Sequence, residues 1–392
     1  MIILPEKSDR IYLLFLGLYG ISYMGNAVYG TFMPVYLKSI GLSQTSIATL
    51  LSFGPLIAIL AQPVWGSIGD RAESKNRVLQ LLLIGCAVSI LLFPISNQYL
   101  YLLAVICLLT FFQTSIYPLS DAVTLEHLGR TKWNFGPIRL AGTIGFALMS
   151  VAFGIVAKKN INSIFVVYSG VMLLTLLIVS QLPKIKGHQS SKNKVSILVL
   201  LKNRKLMLFM LLNFIVQVTL GYYYAFFPIY FNQLGADNGL LGWSMLFSSI
   251  SEVPFLLFGH KIIKRFGIPT VLVSVAFFAG IRWLLLYFVH NPYLVLPIQM
   301  LHGVIFIVLS VTLAIFINQE VPKELKASGQ TMNGLISLGL ARIIGSMAGG
   351  VASEYLGMRE VWLYNAMVAF ITFIIFSFVF VKEAKVVQKV TT

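Results

Sequence analysis

The chain has 392 residues, 58% hydrophobic and 11% charged, with mean hydropathy +0.86 and a formal net charge of +16. A water-soluble domain averages about 25% charged residues, so this composition excludes a soluble globular surface and makes lipid the main solvent. Apolar runs of about 20 residues or longer exclude a membrane barrel, whose segments are about ten residues and alternate, and leave helices as the spanning element.

The opening MIILPEKSDR is charged but lacks a cleavable signal pattern, and the apolar stretch after it is too long for a signal core. It is expected to be the first of twelve spans, at 11–37, 43–67, 78–97, 99–127, 135–157, 163–182, 206–232, 239–262, 270–289, 294–318, 328–356 and 361–381. The predicted fold is an all-α membrane protein. Cys86 and Cys107 fall inside apolar spans and are expected to be packed thiols, not a disulfide or metal ligands. Connections are short except for PKIKGHQSSKNKVSILVLLKNRK, which is polar and basic and divides the chain into six spans plus six. The expected organisation is an N-terminal bundle at 1–182, a cytoplasmic linker at 183–205 and a C-terminal bundle at 206–392.

The positive excess follows membrane sidedness, which removes a nucleic-acid partner as its explanation. About 22 Lys and Arg lie at the termini and in the loops near 71–77, 130–132, 184–205, 261–265 and 323–326, and the opposite loops hold only Lys38, Lys158, Lys159 and Arg359. Both termini and the linker are therefore expected in the cytoplasm, in a monomeric, multi-pass protein of the cell membrane. Two internal echoes suggest duplication. RLAGTIG, from Arg139, in span 5 matches RIIGSMAG, from Arg342, in span 11; GSIGDRAESKNR after span 2 corresponds to GHKIIKRFG after span 8. Two six-helix halves with a site between them are a transporter architecture.

An ionisable side chain at bilayer depth costs about 2.5–3.5 kcal/mol on insertion scales, so each one marks a candidate site. The set is Asp121 and Glu126 in span 4, Arg139 in span 5, Glu252 in span 8, Arg282 in span 9, His302 in span 10 and Arg342 in span 11. Asp121 and Arg139 flank one cytoplasmic turn at similar depth and are expected to pair, either as a solute site or as a structural clasp. Glu126, beside His127, Arg130 and Lys132, is expected to be interfacial and structural. Glu252 stands in an otherwise apolar stretch. A carboxyl that alternates between apolar surroundings and an arginine can load and release a proton, or Glu252 can be a fixed partner of Arg342. Of Tyr222, Tyr223 and Tyr224, successive positions about 100° apart, one or two can face a cavity while the rest pack. The glycines of GLISLGLARIIGSMAGG fit close helix packing.

The stretch Gly66–Arg77, GSIGDRAESKNR, resembles the signature loop of the major facilitator superfamily, and the six-plus-six layout extends that resemblance over essentially the whole chain. It implies a gating loop: Gly66 would permit close helix contact, Asp70 would cap a helix or pair with a base, and Arg71 and Arg77 would anchor to carbonyls or acids. The alternative is a solvated positive loop. GPIRLAGTIGF, Gly136 to Phe146, resembles span 5 of the lactose permease branch, which implies a solute clamp at Arg139, completed by an acid 18 residues earlier, here Asp121, and an aromatic stacking position at Phe146. Arg282 and His302 resemble that branch's proton-coupling region. The acid expected three residues after the histidine is replaced by Ile305, and GYYYAFFP stands where span 7 would carry aspartates, so Glu252 becomes the candidate carrier. EVPFLLFG in span 8 resembles the phenylpropionate permease branch.

The expected function is secondary transport, a proton-coupled symport of a sugar, nucleoside or aromatic carboxylate. Asp121, Arg139, Phe146, Tyr223 and His302 would face the solute, and Glu252, Arg282 and His302 would handle the proton. No cofactor beyond the proton gradient is expected: the chain has no phosphate-cradling glycine loop, catalytic triad or metal set, which argues against an enzyme. An exporter of drugs or lipids is the alternative, hinted at by Gly136-Pro137, and a non-transporting receptor or scaffold is a third reading.

Overall fold

The computed structural model describes residues 7–129, 131, 133, 135–185, 200, 202–321 and 326–391. Most of the linker expected at 183–205, together with Arg130, Lys132 and Lys323, lies outside the described residues.

Among the described residues, twelve helical stretches are long and apolar enough to cross a membrane: Arg10–Ser39, Gln44–Arg71, Lys75–Ile95, Tyr99–Leu128, Phe135–Lys159, Ser163–Gln181, Arg204–Gln233, Asn238–Phe266, Ile268–Phe288, Pro292–Glu320, Met332–Leu356 and Met358–Phe380. They are numbered here as spans 1 to 12, and each falls within a few residues of its predicted position. No strand occurs among the described residues. Large apolar side chains stand on the outside, with Leu60, Val166 and Phe378 at 65%, 70% and 73% exposure, as a hydrocarbon-facing surface requires. Cys86 is buried, Cys107 half-buried, and both are free thiols.

The chain forms two compact units. The first contains the described residues of Met1–Lys192 with Asp237–Leu246, and the second those of Asn193–Ala236 with Phe247–Thr392. In the first unit span 1 packs along spans 5 and 6. The approach to span 5 is backbone to backbone, because a Cβ on Gly145 would fall onto the Gly20 carbonyl. In the second unit span 7 packs on span 11, and span 9 on span 12. Gly345 is pressed against the Val218 carbonyl and the Gly221 Cα in the same manner. Without a hydrophobic drive between helices in lipid, such small-residue contacts supply the dispersion that holds spans together.

Several spans are interrupted, and prolines account for two of the breaks. Span 4 is two helices, Tyr99–Gln113 and Ile116–Leu128. Pro118 has no N–H for the Thr114 carbonyl, which accepts instead from Gln62 Nε2 at 3.4 Å. Span 8 is Asn238–Ile250 followed by Val253–Phe266, with Ser251 and Glu252 in the turn between them. Here Pro254 removes the N–H that would have bonded Ile250. Span 10 turns at Met300, just before His302, and span 11 opens into a π-helix over Leu335–Leu340, just before Arg342. Interrupted or widened helices expose backbone and re-aim side chains, and in membrane proteins they cluster where a cavity is lined.

Candidate solute and proton sites

The first unit gathers its intramembrane charges around tyrosines. Tyr19 and Tyr23, four residues apart, share one face of span 1, and Tyr117 and Asp121 share one face of span 4 by the same spacing. The Tyr19 hydroxyl donates to Asp121 Oδ1 at 2.5 Å. The Tyr19 and Tyr23 rings lie nearly parallel with centroids 6.4 Å apart, and Tyr117 packs on Tyr23 at 4.6 Å. Arg139 lies over the Tyr23 ring of this cluster, its Cζ 4.3 Å from the centroid. Gly142, one turn on, leaves room for it, since a Cβ there would come within 2.8 Å of the Tyr23 ring and 3.2 Å of Arg139 Nη1.

The expected direct pair of Asp121 and Arg139 is corrected by this geometry, because no ion pair joins them among the described residues. The tyrosines serve the two charges separately. A hydroxyl satisfies the carboxylate, and the negative face of a ring supports the guanidinium. Phe146 is half-buried and lies seven residues beyond Arg139, close to the same helix face. The ring contacts near Arg139 are made by Tyr19, Tyr23, Tyr117 and Phe135, and Phe146 contributes none of them. Sequence reasoning missed this tyrosine cluster, although the i, i+4 spacing was available as a signal.

The gating loop also differs from expectation. Gly66 faces open space, so its close-contact role is corrected; Gly69 holds that role, with a Cβ there 3.1 Å from Leu119. Asp70 and Arg71 are exposed and make no hydrogen bond or ion pair among the described residues, and Arg77 reaches only Glu73, at 3.9 Å on an exposed face. The loop is held by residues that sequence reasoning passed over. Lys75 is buried and pairs with Glu126 at 3.1 Å, and its N–H donates to the Ile185 carbonyl at 2.8 Å. Asn76 donates to the Pro183 carbonyl at 3.1 Å and accepts from the Ile185 N–H at 3.1 Å. The structural role expected for Glu126 therefore has a partner, Lys75, that lies 51 residues away in sequence.

The second unit joins residues from spans 7, 8, 9 and 10 in one network. Arg282, fully buried, donates through Nη1 to His302 Nδ1 at 3.0 Å and through Nη2 to Gln299 Oε1 at 2.5 Å. Gln299 Nε2 in turn donates to the Tyr223 hydroxyl at 3.1 Å, and the Arg282 guanidinium lies 4.2 Å from the Tyr223 ring centroid. Arginine carries only donors, so His302 Nδ1 must accept, and the hydrogen of the neutral imidazole is assigned to Nε2. That atom is 3.4 Å from the Tyr224 hydroxyl and 4.0 Å from Glu252 Oε1. The Gly303 N–H donates to Ser251 Oγ at 2.8 Å, and Gly303, lacking a side chain, lets the break in span 8 lie directly on span 10. This contact delivers Glu252 to His302. Tyr222 faces the other way, with its hydroxyl on Ser353 and the Met358 carbonyl and its ring on Trp362, so it is the packing member of the triplet. Arg342 lies over Tyr224 at 4.4 Å, and Glu252 Oε1 lies 4.0 Å from His302 Nε2.

Twelve spans of this kind, with charges buried beside helix breaks, are the architecture of the major facilitator transporters. The chain belongs to the MFS_1 like family, whose model matches residues 16–364. It is similar to the maltose permease of Geobacillus stearothermophilus, 28% identical over 64% of this chain and 65% of that one. It is also similar to the putative nucleoside transporter YegT of Escherichia coli (strain K12), 26% identical over 82% and 80%. Among solved structures, the nucleoside transporter NupG shares the fold, with TM-score 0.81 and 20% identity over 94% of this chain and 99% of that chain. The protein is therefore a multi-pass membrane transporter and not an enzyme.

Proposed function

We propose that the protein is a proton-coupled symporter that imports a small polar organic solute, of the nucleoside or sugar class, across the cytoplasmic membrane, with both termini cytoplasmic. The observation that carries this reading is the connected path Glu252–His302–Arg282–Gln299–Tyr223 in the second unit. A proton bound by Glu252 would neutralise the carboxylate facing His302 Nε2–H, so the imidazole held between Glu252 and Arg282 would lose the charge on one side. Arg282, bonded to the other ring nitrogen and to Gln299, is the next group in that path. Proton arrival is thereby linked to a rearrangement of side chains on three spans, the differential contact that coupling between two ligands requires.

Asp121, Arg139, Tyr19 and Tyr23 offer a solute both polarities and a ring face. Arg139 presents donors to hydroxyl or carbonyl oxygens, Asp121 accepts, and Tyr23 and Tyr117 stack. Nucleosides and sugars carry complementary groups, and the maltose permease and putative nucleoside transporter relatives favour these classes over an aromatic acid. The proton gradient supplies the energy in this reading, and no cofactor is needed.

The test is flux in proteoliposomes. Purified protein should alkalinise the external medium when uridine or maltose is added, and Glu252→Gln should abolish that signal while leaving solute exchange at least half of wild type. Uptake by Glu252→Gln that remains concentrative and pH-dependent would remove Glu252 as carrier. Acid-driven efflux of a dye would establish the exporter, and absence of any flux the scaffold.

A further inference from the structure

Arg342 has no place in the proton path. Its guanidinium rests on the Tyr224 ring at 4.4 Å, and its Nε is buried with no hydrogen-bond partner. Among the described residues it makes no hydrogen bond and no ion pair. Arg282 is different, with donors engaged by His302 and Gln299. A guanidinium carries five N–H donors in a planar fork and no acceptor. Leaving it unpaired at bilayer depth is expensive, and such a group persists where an acceptor arrives during function.

The first unit contains the same device. On span 1, Gly20-Ile21-Ser22-Tyr23 faces Arg139-x-x-Gly142 of span 5; on span 7, Gly221-Tyr222-Tyr223-Tyr224 faces Arg342-x-x-Gly345 of span 11. In each case a glycine three residues before the tyrosine lies beside the backbone of the partner helix, at ordinary contact distance for Gly20 and tightly for Gly221. A Cβ on Gly20 would lie 3.6 Å from the Ala141 carbonyl, and one on Gly221 would lie 3.0 Å from the Arg342 Cα. In each case the arginine of that partner helix lies over the tyrosine ring, its Cζ at 4.3 Å and 4.4 Å from the centroid. The helix registers differ by two residues, roughly half a turn, because Gly20 meets the residue two after its arginine and Gly221 the arginine itself.

Two differences set the second copy apart. Asp121 neighbours the first cluster, whereas in the second unit two guanidiniums, Arg282 and Arg342, lie on the tyrosine and histidine cluster that Glu252 borders. The π-helix Leu335–Leu340 directly precedes Arg342, and Asn213 holds it by hydrogen bonds to Asn333 (2.8 Å) and Ser337. A π turn widens the helix, shifts the angular position of the residues beyond it, and occurs often at functional sites.

We propose that Arg342, shelved on Tyr224, is a solute-binding residue of the second unit. It takes a group with two acceptor oxygens, either a vicinal diol of a neutral solute or a carboxylate. The inference rests on the transport reading above and names the part of the solute that this unit holds.

The test uses the full-length protein in lipid nanodiscs with three probes: uridine, maltose and 3-phenylpropionate. Dissociation constants are measured for wild type, Arg342→Ala, Arg342→Lys and Tyr224→Phe, and for the companions Arg139→Ala and Glu252→Gln. Arg342→Ala should weaken the bound probe at least tenfold, Arg342→Lys should restore part of the loss, and Tyr224→Phe, which keeps the ring, should stay within threefold. Each probe is paired with an analogue lacking the acceptor group: 2′,3′-dideoxyuridine, a deoxygenated maltose and 3-phenylpropionamide. The analogue should bind wild type more weakly but lose nothing further in Arg342→Ala, a non-additivity that a merely structural arginine would not produce. The pair that shows it separates diol from carboxylate. Wild-type affinity in a folded Arg342→Ala protein, or full additivity with every analogue, overturns the proposal while leaving the transport reading intact. Absence of both binding and flux in the wild type overturns the two together.

Discussion

At the scale of single residues, the first unit treats its two charges unequally. Asp121 has a hydroxyl donor in Tyr19, and Arg139 has a ring but no hydrogen-bonding acceptor among the described residues. Free donors at Arg139 are what a solute oxygen would meet. Arg139→Ala is expected to weaken solute binding at least tenfold, since a charged hydrogen bond contributes about 1.5–3 kcal/mol, and equilibrium binding to the purified protein checks it. Tyr19→Phe should be milder, lowering affinity through a less well-placed carboxylate. Wild-type binding by both variants would reduce the cluster to a structural clasp. The Lys75–Glu126 pair is structural at the same scale, with side chains only 10% and 16% exposed. Lys75→Met would remove a buried partner of Glu126 and is expected to cost up to about 3–5 kcal/mol, read as poor yield and early melting in detergent, whereas Arg71→Ala on the exposed part of the same loop should stay within about 0.5 kcal/mol.

At the scale of elements, glycines set how closely spans cross, and breaks set where side chains point. Gly145 lies against the Gly20 backbone, which cannot yield as a flexible side chain could. Gly145→Leu is therefore expected to cost at least about 1–3 kcal/mol of stability, and Gly66→Ala, in open space, close to none. Thermal melting of the two purified variants tests both statements, and a strong defect in Gly66→Ala would restore the contact role that the signature-loop resemblance implied. The break at Pro254 has a comparable consequence for chemistry. Glu252 faces His302 because the helix stops at Ile250 and restarts at Val253, with Ser251 tied to Gly303 across the break. A continuous span 8 would place Glu252 elsewhere around the helix, about 100° per residue inserted or removed.

At the scale of the molecule, sidedness and energy source are the properties to test. The start of span 8 belongs to the first unit and meets the end of span 5 there: Lys158 pairs with Asp237 at 2.8 Å and Asn238 donates to the Ala157 carbonyl at 3.0 Å. The hydrogen bond from Lys158, with a further one from the Leu240 N–H, holds the Asp237 carboxyl below its ordinary range. A depressed folded-state value means that the pair stabilises above the ordinary aspartate pKa of about 4 and loses that effect as pH falls through the folded-state value. Both side chains are about half exposed, so the effect is small, a few tenths of a kcal/mol, or about 0.2–1 at most. Asp237→Asn should melt slightly below wild type at pH 7, and the gap should shrink as the pH is lowered below about 4. If both termini are cytoplasmic, Lys158 and Asp237 lie outside the cell, and a membrane-impermeant amine reagent applied to whole cells should reach Lys158 and spare Lys75.

The sequence alone determined the element inventory. Twelve apolar runs appear as twelve spans within a few residues, because each run must satisfy its own backbone in lipid and so declares itself locally. The same cost made Asp121, Arg139, Glu252, Arg282, His302 and Arg342 stand out as single letters in apolar text. Which of them meet was decided only by tertiary packing, since a charge in a span can be satisfied by any donor, acceptor or ring that a neighbouring helix brings near. Glu252 and His302 lie on different spans and meet through a proline break and a glycine. Asp121 and Arg139 sit on neighbouring spans, yet tyrosines from span 1 occupy the place of a direct bond. The repeated pairing of Gly20 and Tyr23 with Arg139, and of Gly221 and Tyr224 with Arg342, crosses between helices far apart in the chain. It therefore became visible only when those helices were seen in contact.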